Sequence, residues 1–352
     1  MREKFLKRAT VFALTAVVGF AMSACGNKGE DATHNGSVDI SSEYVYLPEY
    51  RTLSMAEGNS EDVYIGDMVL GEDTLYYTRN FYDPVKEKVG ASLVFADLSD
   101  TTKEEVFEVP PYELEDYTCI PEKIRLDDEK NRYVIYYCMP DAEEVEDYDY
   151  ANETTCLVKY DKDMKPVYEL DLREVFGEES DAYVSNVVIS KAGKAYVATD
   201  SVIYVIDAAG KPLKPIQTNA DWIDQLVGTE DGRVFYTYYS YNSNGMEMIE
   251  VDTQTDSVGN TYKNLPDMNC MIRSGSDGKV LVKGNTKLYE YDLENQESTT
   301  VLNWTDSYLT SDYIRDFVKL QNGDYLVYYE DWNQNSKELV TLKKTKAADL
   351  PQ

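Results

Sequence analysis

The chain has 352 residues, with 34 Lys+Arg against 65 Asp+Glu and a formal charge of −31. That surface repels nucleic acid and anionic lipid headgroups, which excludes nucleic acid as a partner, while 43% hydrophobic residues supply enough apolar side chain for a core and exclude a disordered chain. The one histidine, His34, lies in a polar segment near the N-terminus, so the domain that follows has no Ser-His-Asp triad, no Cys-His pair and no His-ligated metal.

In chain order, Arg2, Lys4, Lys7 and Arg8 make a basic start and residues 9–21 a short apolar run. That run falls short of the ~20 apolar residues a bilayer-spanning helix needs. Basic, then apolar, then small is the order of an export signal, read here over residues 1–24. The segment ends Met22-Ser23-Ala24-Cys25, which resembles a bacterial lipobox and makes Cys25 the expected lipidation site. The expected localisation is the cell membrane, lipid-anchored on the extracytoplasmic side, with the bilayer as partner through acylated Cys25. Residues 25–42 are polar, small and aperiodic, the composition of a flexible tether.

From residue 43 the pattern is short alternating runs between turn signals, which predicts an all-β domain over residues 43–345; only Leu172 to Phe176 carries a trace of helical pattern. The runs repeat. A strand, a tight polar turn and a second strand recur around Lys191-Ala192-Gly193-Lys194, Glu230-Asp231-Gly232-Arg233, Ser276-Asp277-Gly278-Lys279 and Gln321-Asn322-Gly323-Asp324. Asp-Gly and Asn-Gly favour the positive φ angles of two-residue hairpins. A third strand in each copy closes on an apolar-x-apolar-Asp pattern at Asp97, Asp161, Asp207, Asp252 and Asp292, with Lys343 in the sixth copy. A fourth strand follows most copies. Four strands at a period of roughly 40 to 50 residues predict a β-propeller, with six blades favoured over seven and a β-solenoid as the alternative. The sixth copy lacks a fourth strand, and residues 45–53 are expected to supply it and close the ring. Residues 346–352 read as a tail or the start of a linker.

In an up-and-down blade the second-to-third loops and the interblade connections share one face. On this sequence they carry the aromatic residues, so Tyr82, Tyr148, Tyr150, Trp222, Tyr241, Trp304, Tyr308 and Trp332 form the candidate ligand face, suited to stacking on sugar or peptide. The alternative for each ring is packing between blades. The first-to-second turns on the other face read as short and generic. The acidic stretch 141–150 lacks the order and glycine of a calcium loop, and no metal or cofactor is expected. Cys119, Cys138 and Cys156 fall in one blade. Cys138 and Cys156 read as cross-strand neighbours, and Cys119, just before the first strand, also folds back near Cys138, so a disulfide among them and buried free thiols are both open.

A lipobox, a polar tether, the string EYVYLPEY (43–50), a Tyr-rich acidic propeller and the ending LVTLKKTKAADLPQ (339–352) together resemble the N-terminal half of clostridial lipoproteins that serve as extracellular solute-binding proteins of ABC importers. In those proteins a propeller precedes an α/β solute-binding domain. No such region is read after residue 345 of this sequence, which is expected to be either a truncated piece of such a protein or a stand-alone relative, so the family's solute pocket maps onto none of its residues. The resemblance implies a non-enzymatic binding or scaffold module associated with capture of a carbohydrate or peptide solute. The alternatives are a carbohydrate-active enzyme working through two carboxylates and a scaffold that holds an envelope protein.

Overall fold

A computed structural model describes residues 44–52, 64–70, 74–83, 88–97, 104–110, 112–140, 153–177, 184, 186–229, 231–267, 270–331 and 336–346. Cys25, Tyr148, Tyr150 and Trp332 lie outside them.

The described chain forms six antiparallel four-stranded sheets. The first blade holds β2 (Tyr64–Leu70), β3 (Thr74–Asp83), β4 (Lys88–Asp97) and β5 (Glu104–Glu108). The second holds β6 (Tyr117–Leu126), β7 (Arg132–Pro140), β8 (Thr154–Tyr160) and β9 (Pro166–Asp171). A one-turn helix, α1 (Leu172–Phe176), follows, its first turn capped by the Asp171 carboxylate accepting from Arg173 N. The third blade is β10 (Asn186–Ile189), β11 (Ala195–Ala198), β12 (Val202–Ile206) and β13 (Ile216–Gln217), and the fourth is β14 (Gln225–Gly228), β15 (Val234–Ser240), β16 (Gly245–Asp252) and β17 (Ser257–Tyr262). The fifth is β18 (Met271–Ser274), β19 (Lys279–Lys283), β20 (Lys287–Asp292) and β21 (Glu297–Asn303). The sixth takes β22 (Ile314–Lys319), β23 (Tyr325–Asp331) and β24 (Ser336–Lys346) from the C-terminal end and β1 (Tyr44–Thr52) from the N-terminal end. The fold is a six-bladed β-propeller whose ring is closed by its first strand.

The apolar side chains explain why the blades associate. The core divides into six clusters, and each straddles two neighbouring blades. Val188, Tyr196 and Val205 of the third blade pack with Leu226, Tyr236 and Val251 of the fourth. Met68, Leu75 and Tyr77 of the first pack with Leu320, Leu326 and Leu339 of the sixth. A single blade would leave both apolar faces in water, so burial rewards only the stacked ring.

Polar latches join the innermost strands around the axis. Arg125 Nε donates to Val187 O at 3.1 Å, Asn186 Nδ2 to Leu226 O at 3.0 Å, and Arg273 Nε to Asp316 Oδ1 at 2.6 Å. Gln225 Oε1 accepts from Ile272 N at 2.9 Å. Each latch begins on one blade and ends on the next.

The recurrent aspartate is a turn device. Asp161, Asp207, Asp252 and Asp292 each accept two backbone N–H groups of the following turn through Oδ1, folding the third strand back into the fourth. In the sixth copy β24 makes no such turn. It runs straight on, pairs with β1 from Tyr44↔Lys346 to Thr52↔Glu338, and Lys343 forms an ion pair with Glu49.

The first-to-second turns depart from the two-residue form expected. Ser190 N bonds Lys194 O and Gly193 N bonds Ser190 O, with Gly193 at φ 75°. This is a three-residue loop closed by a left-handed residue. Gly232 and Gly323 end equivalent loops, and Lys130 takes the same place at φ 62°. The two-residue form occurs at Asp277-Gly278, where both φ angles are positive and Lys279 N bonds Ser276 O.

Candidate functional site

The first-to-second turns of the second to sixth blades, with Val69 and Tyr76 of the first, surround one cavity of about 1150 Å³ at the axis. It opens on the face read from sequence as generic, which corrects that reading. Blade two contributes Asp127, Asp128 and Lys130; blade three Ser190 and Lys191; blade four Thr229 and Arg233; blade five Ser274 and Ser276; blade six Lys319, Gln321 and Asn322. Glu290, Val301, Tyr44, Tyr46, Tyr325 and Lys344 also line it, taking the cavity outward along the fifth and sixth blades.

Close packing shapes the wall. A Cβ on Gly228 would stand 2.8 Å from Val188 Cγ1 of the neighbouring blade, and one on Gly275 2.6 Å from Lys279 O. Gly275 is therefore held to glycine by a backbone contact rather than by dihedral angle, while a side chain at 228 would require Val188 to shift.

Two of the cavity's three carboxylates are engaged by the fold. Asp127 accepts from Glu129 N, Asn131 N, Asn131 Nδ2 and Tyr133 OH at 2.9–3.1 Å, and lies 3.6 Å from Lys159 Nζ. Glu290 is bridged by Lys319 at 2.6 Å and Lys279 at 3.4 Å. Burial works to raise the Glu290 carboxyl, but the hydrogen bonds and charge of the two lysines outweigh it and hold the group below the ordinary glutamate value. In the outward arm the Tyr46 ring meets Tyr325 edge-on at 5.4 Å. Burial, with the charges of Glu290 and Asp324, pushes the Tyr46 phenol up to about 12, so its hydroxyl stays protonated at neutral pH.

The aromatic residues proposed from sequence divide. Trp222, Tyr241 and Tyr308 are 51%, 81% and 50% exposed. They sit in the β13–β14 connection, the β15–β16 loop and the β21–β22 connection, on the face opposite the cavity mouth. Trp304 is removed from the candidate face. The chain turns into a short 3-10 segment at Trp304–Ser307, which drives the indole inward to 1% exposure. There it packs beside Phe317 and donates Nε1–H to Gly284 O. Tyr82 lies in β3 rather than in a loop, because the β3–β4 ladder runs out to Asp83↔Lys88.

The cysteines follow one of the open alternatives, with two changes of position. Cys119 lies within β6, directly opposite Cys138 of β7, and the two form a disulfide. Cys156 faces Tyr136, not Cys138. It is a buried free thiol with Sγ 3.8 Å from that of Cys138, and burial pushes it up to about 12. Among the described residues no three His, Cys, Asp or Glu side chains cluster as a metal site would require.

No family model matches the sequence, and no curated protein does. Solved structures similar in shape include the acylaminoacyl peptidase of Pyrococcus horikoshii, at 11% identity and TM-score 0.49 over 81% of this chain and 52% of that one. The chain thus spans about half of that peptidase. Another is the Malassezia sympodialis allergen Mala s 1, at 9% identity and TM-score 0.47 over 88% of this chain and 98% of that one. A third is the β-propeller domain of the trilobed protease from Pyrococcus furiosus, at 12% identity and TM-score 0.47 over 82% and 96%.

Sequence reasoning missed the cavity because each turn is unremarkable alone. The available signal was their shared phase: turns at the same point of successive repeats must meet at the axis of a closed ring.

Proposed function

We propose that this chain is a lipid-anchored, extracytoplasmic binding module that captures a solute without transforming it, in association with an ABC importer. The observation that carries the reading is an open cavity of about 1150 Å³ to which every blade contributes. Concave sites of mixed polar and apolar lining on a preformed scaffold are where small ligands bind. A hydrolase working through two carboxylates needs both free to exchange protons; here Asp127 and Glu290 are occupied by structural donors, which supports binding over catalysis. The anchor rests on Cys25 and the basic-apolar-small order before it.

Two measurements test this reading. In a bacterial host fed labelled palmitate, the full chain is expected to carry label and sediment with membranes, and Cys25→Ala to lose the label; label that survives the substitution would refute the anchor. The purified lipoprotein is then probed on a glycan array and in pull-downs from envelope extract. Glycan capture is the expected result, and capture of an envelope protein with no glycan would replace this reading with the scaffold one.

A further inference from the structure

We infer that the cavity mouth is a site for an anionic saccharide, one carrying carboxylates on a sugar backbone. This inference rests on the solute-binding reading above and specifies its ligand.

The first observation is charge. Acidic residues outnumber basic ones by nearly two to one in the chain, yet the cavity is lined by five cations and three acids. Pairing within the fold sharpens the contrast. Asp127 is buried among hydrogen-bond donors, Glu290 is shared by two lysines, and Arg233 is offset by Glu250 at 3.3 Å. Lys130 and Lys191 project from equivalent turns of adjacent blades, both exposed, and among the described residues neither pairs with a carboxylate. In the outward arm Lys344 Nζ stands over the Tyr44 ring at 4.4 Å. Three lysines, Lys130, Lys191 and Lys344, thus line the opening with Asp128, while Asp324 lies beside the outward arm and acts on Tyr46. An anion entering there meets local attraction, while the acidic surface beyond a Debye length of ~8 Å is screened at physiological salt.

The second observation is the rest of the lining. Four tyrosines, Tyr44, Tyr46, Tyr76 and Tyr325, contribute to the wall, and ring faces take the C–H faces of sugars. Hydroxyls at Ser274 and Ser276 stand at the rim, where a polyhydroxylated ligand can exchange hydrogen bonds. The volume of about 1150 Å³ exceeds the ~300–1,000 Å³ typical of a drug-sized ligand, so a short oligomer fits where a single small acid would leave space unfilled.

The test is isothermal titration of the full-length lipoprotein in detergent with trigalacturonate, with neutral galactotriose, and with inorganic phosphate. Trigalacturonate is expected to bind at least ten-fold more tightly than galactotriose, and to weaken as salt rises. The K130E/K191E double variant is expected to lower trigalacturonate affinity at least ten-fold without moving the melting temperature, both side chains being exposed. The W222A/Y241A variant, on the opposite face, is expected to leave it unchanged. Equal binding of both sugars, unaffected by the lysine change, would overturn the anionic ligand and leave the solute-binding reading standing. Binding of phosphate but not trigalacturonate would overturn the saccharide. Binding abolished by W222A/Y241A and kept by K130E/K191E would overturn the location, and no binding of any probe would overturn the inference as a whole.

Discussion

Deleting residues 44–52 is expected to lower the melting temperature by ~10 °C and to make the protein self-associate. Strand β1 is the outer strand of the sixth blade, and its nine residues pair one-for-one with β24. Its own side chains are modestly buried, Leu47 being 37% and Tyr50 48% exposed. Most of the loss therefore comes from what β1 protects. Tyr46 packs against the cluster of Tyr325, Phe317 and Leu342, and an aromatic contact of this kind contributes ~0.5–1.5 kcal/mol beyond its buried area. Without β1, the chain no longer ties the first blade to the sixth, and contacts such as the Met68–Leu326 cluster must hold them together. At ~2.1 cal/mol/K of unfolding entropy per residue, a domain of about 300 residues shifts by ~1.6 °C per kcal/mol, so the ~10 °C drop corresponds to a loss of about 6 kcal/mol. The 11-residue β24 also becomes an open edge, the template for intermolecular pairing. Calorimetry and light scattering read both effects; an unchanged melting temperature in a monomeric deletion variant would show that the ring does not depend on its first strand.

Trp304→Ala is expected to cost about 3–5 kcal/mol, the range for truncating a buried tryptophan, whereas Trp222→Ala and Tyr241→Ala stay within ~0.5 kcal/mol. The three residues were indistinguishable as members of an aromatic face. Trp304 is 1% exposed and its indole N–H is satisfied by Gly284 O. Its removal opens a cavity beside Phe317, Leu309 and Leu281 and leaves the Gly284 carbonyl without that donor. Trp222 and Tyr241 are half or more exposed and lose little on truncation. Urea denaturation of the three variants checks the ranking. A Trp222→Ala cost equal to that of Trp304→Ala would mean that the exposed rings are also part of the core.

The blade count was legible because each third strand ends on an aspartate that must cap a turn, and the sixth breaks the rule with Lys343 where β24 runs on to meet β1. Ring closure followed from that exception. The α1 turn was visible as a short pattern after Asp171, which caps it. Two things were not legible. Alternation shows which residues of a strand are buried, but not how a connection folds after the strand ends, so the inward turn at Trp304 left no periodic trace. The cavity depends on contacts between turns roughly 40 to 50 residues apart, where no local pattern marks Lys130 and Lys191 as neighbours on one rim. The disulfide lay between, since the nearness of Cys119 to Cys138 was evident while the pairing that leaves Cys156 as a free thiol was not.

The central claim is a closed ring joining the two ends of the chain, and cysteine cross-linking tests it most directly. Leu47 and Lys343 are register partners on β1 and β24, both exposed. The Leu47→Cys/Lys343→Cys variant, mildly oxidised and mapped by mass spectrometry, is expected to give a 47–343 intramolecular disulfide in most molecules and a higher melting temperature. Disulfides found only between molecules, or linking position 47 to the native cysteines, would contradict the closure and the shared cavity that depends on it.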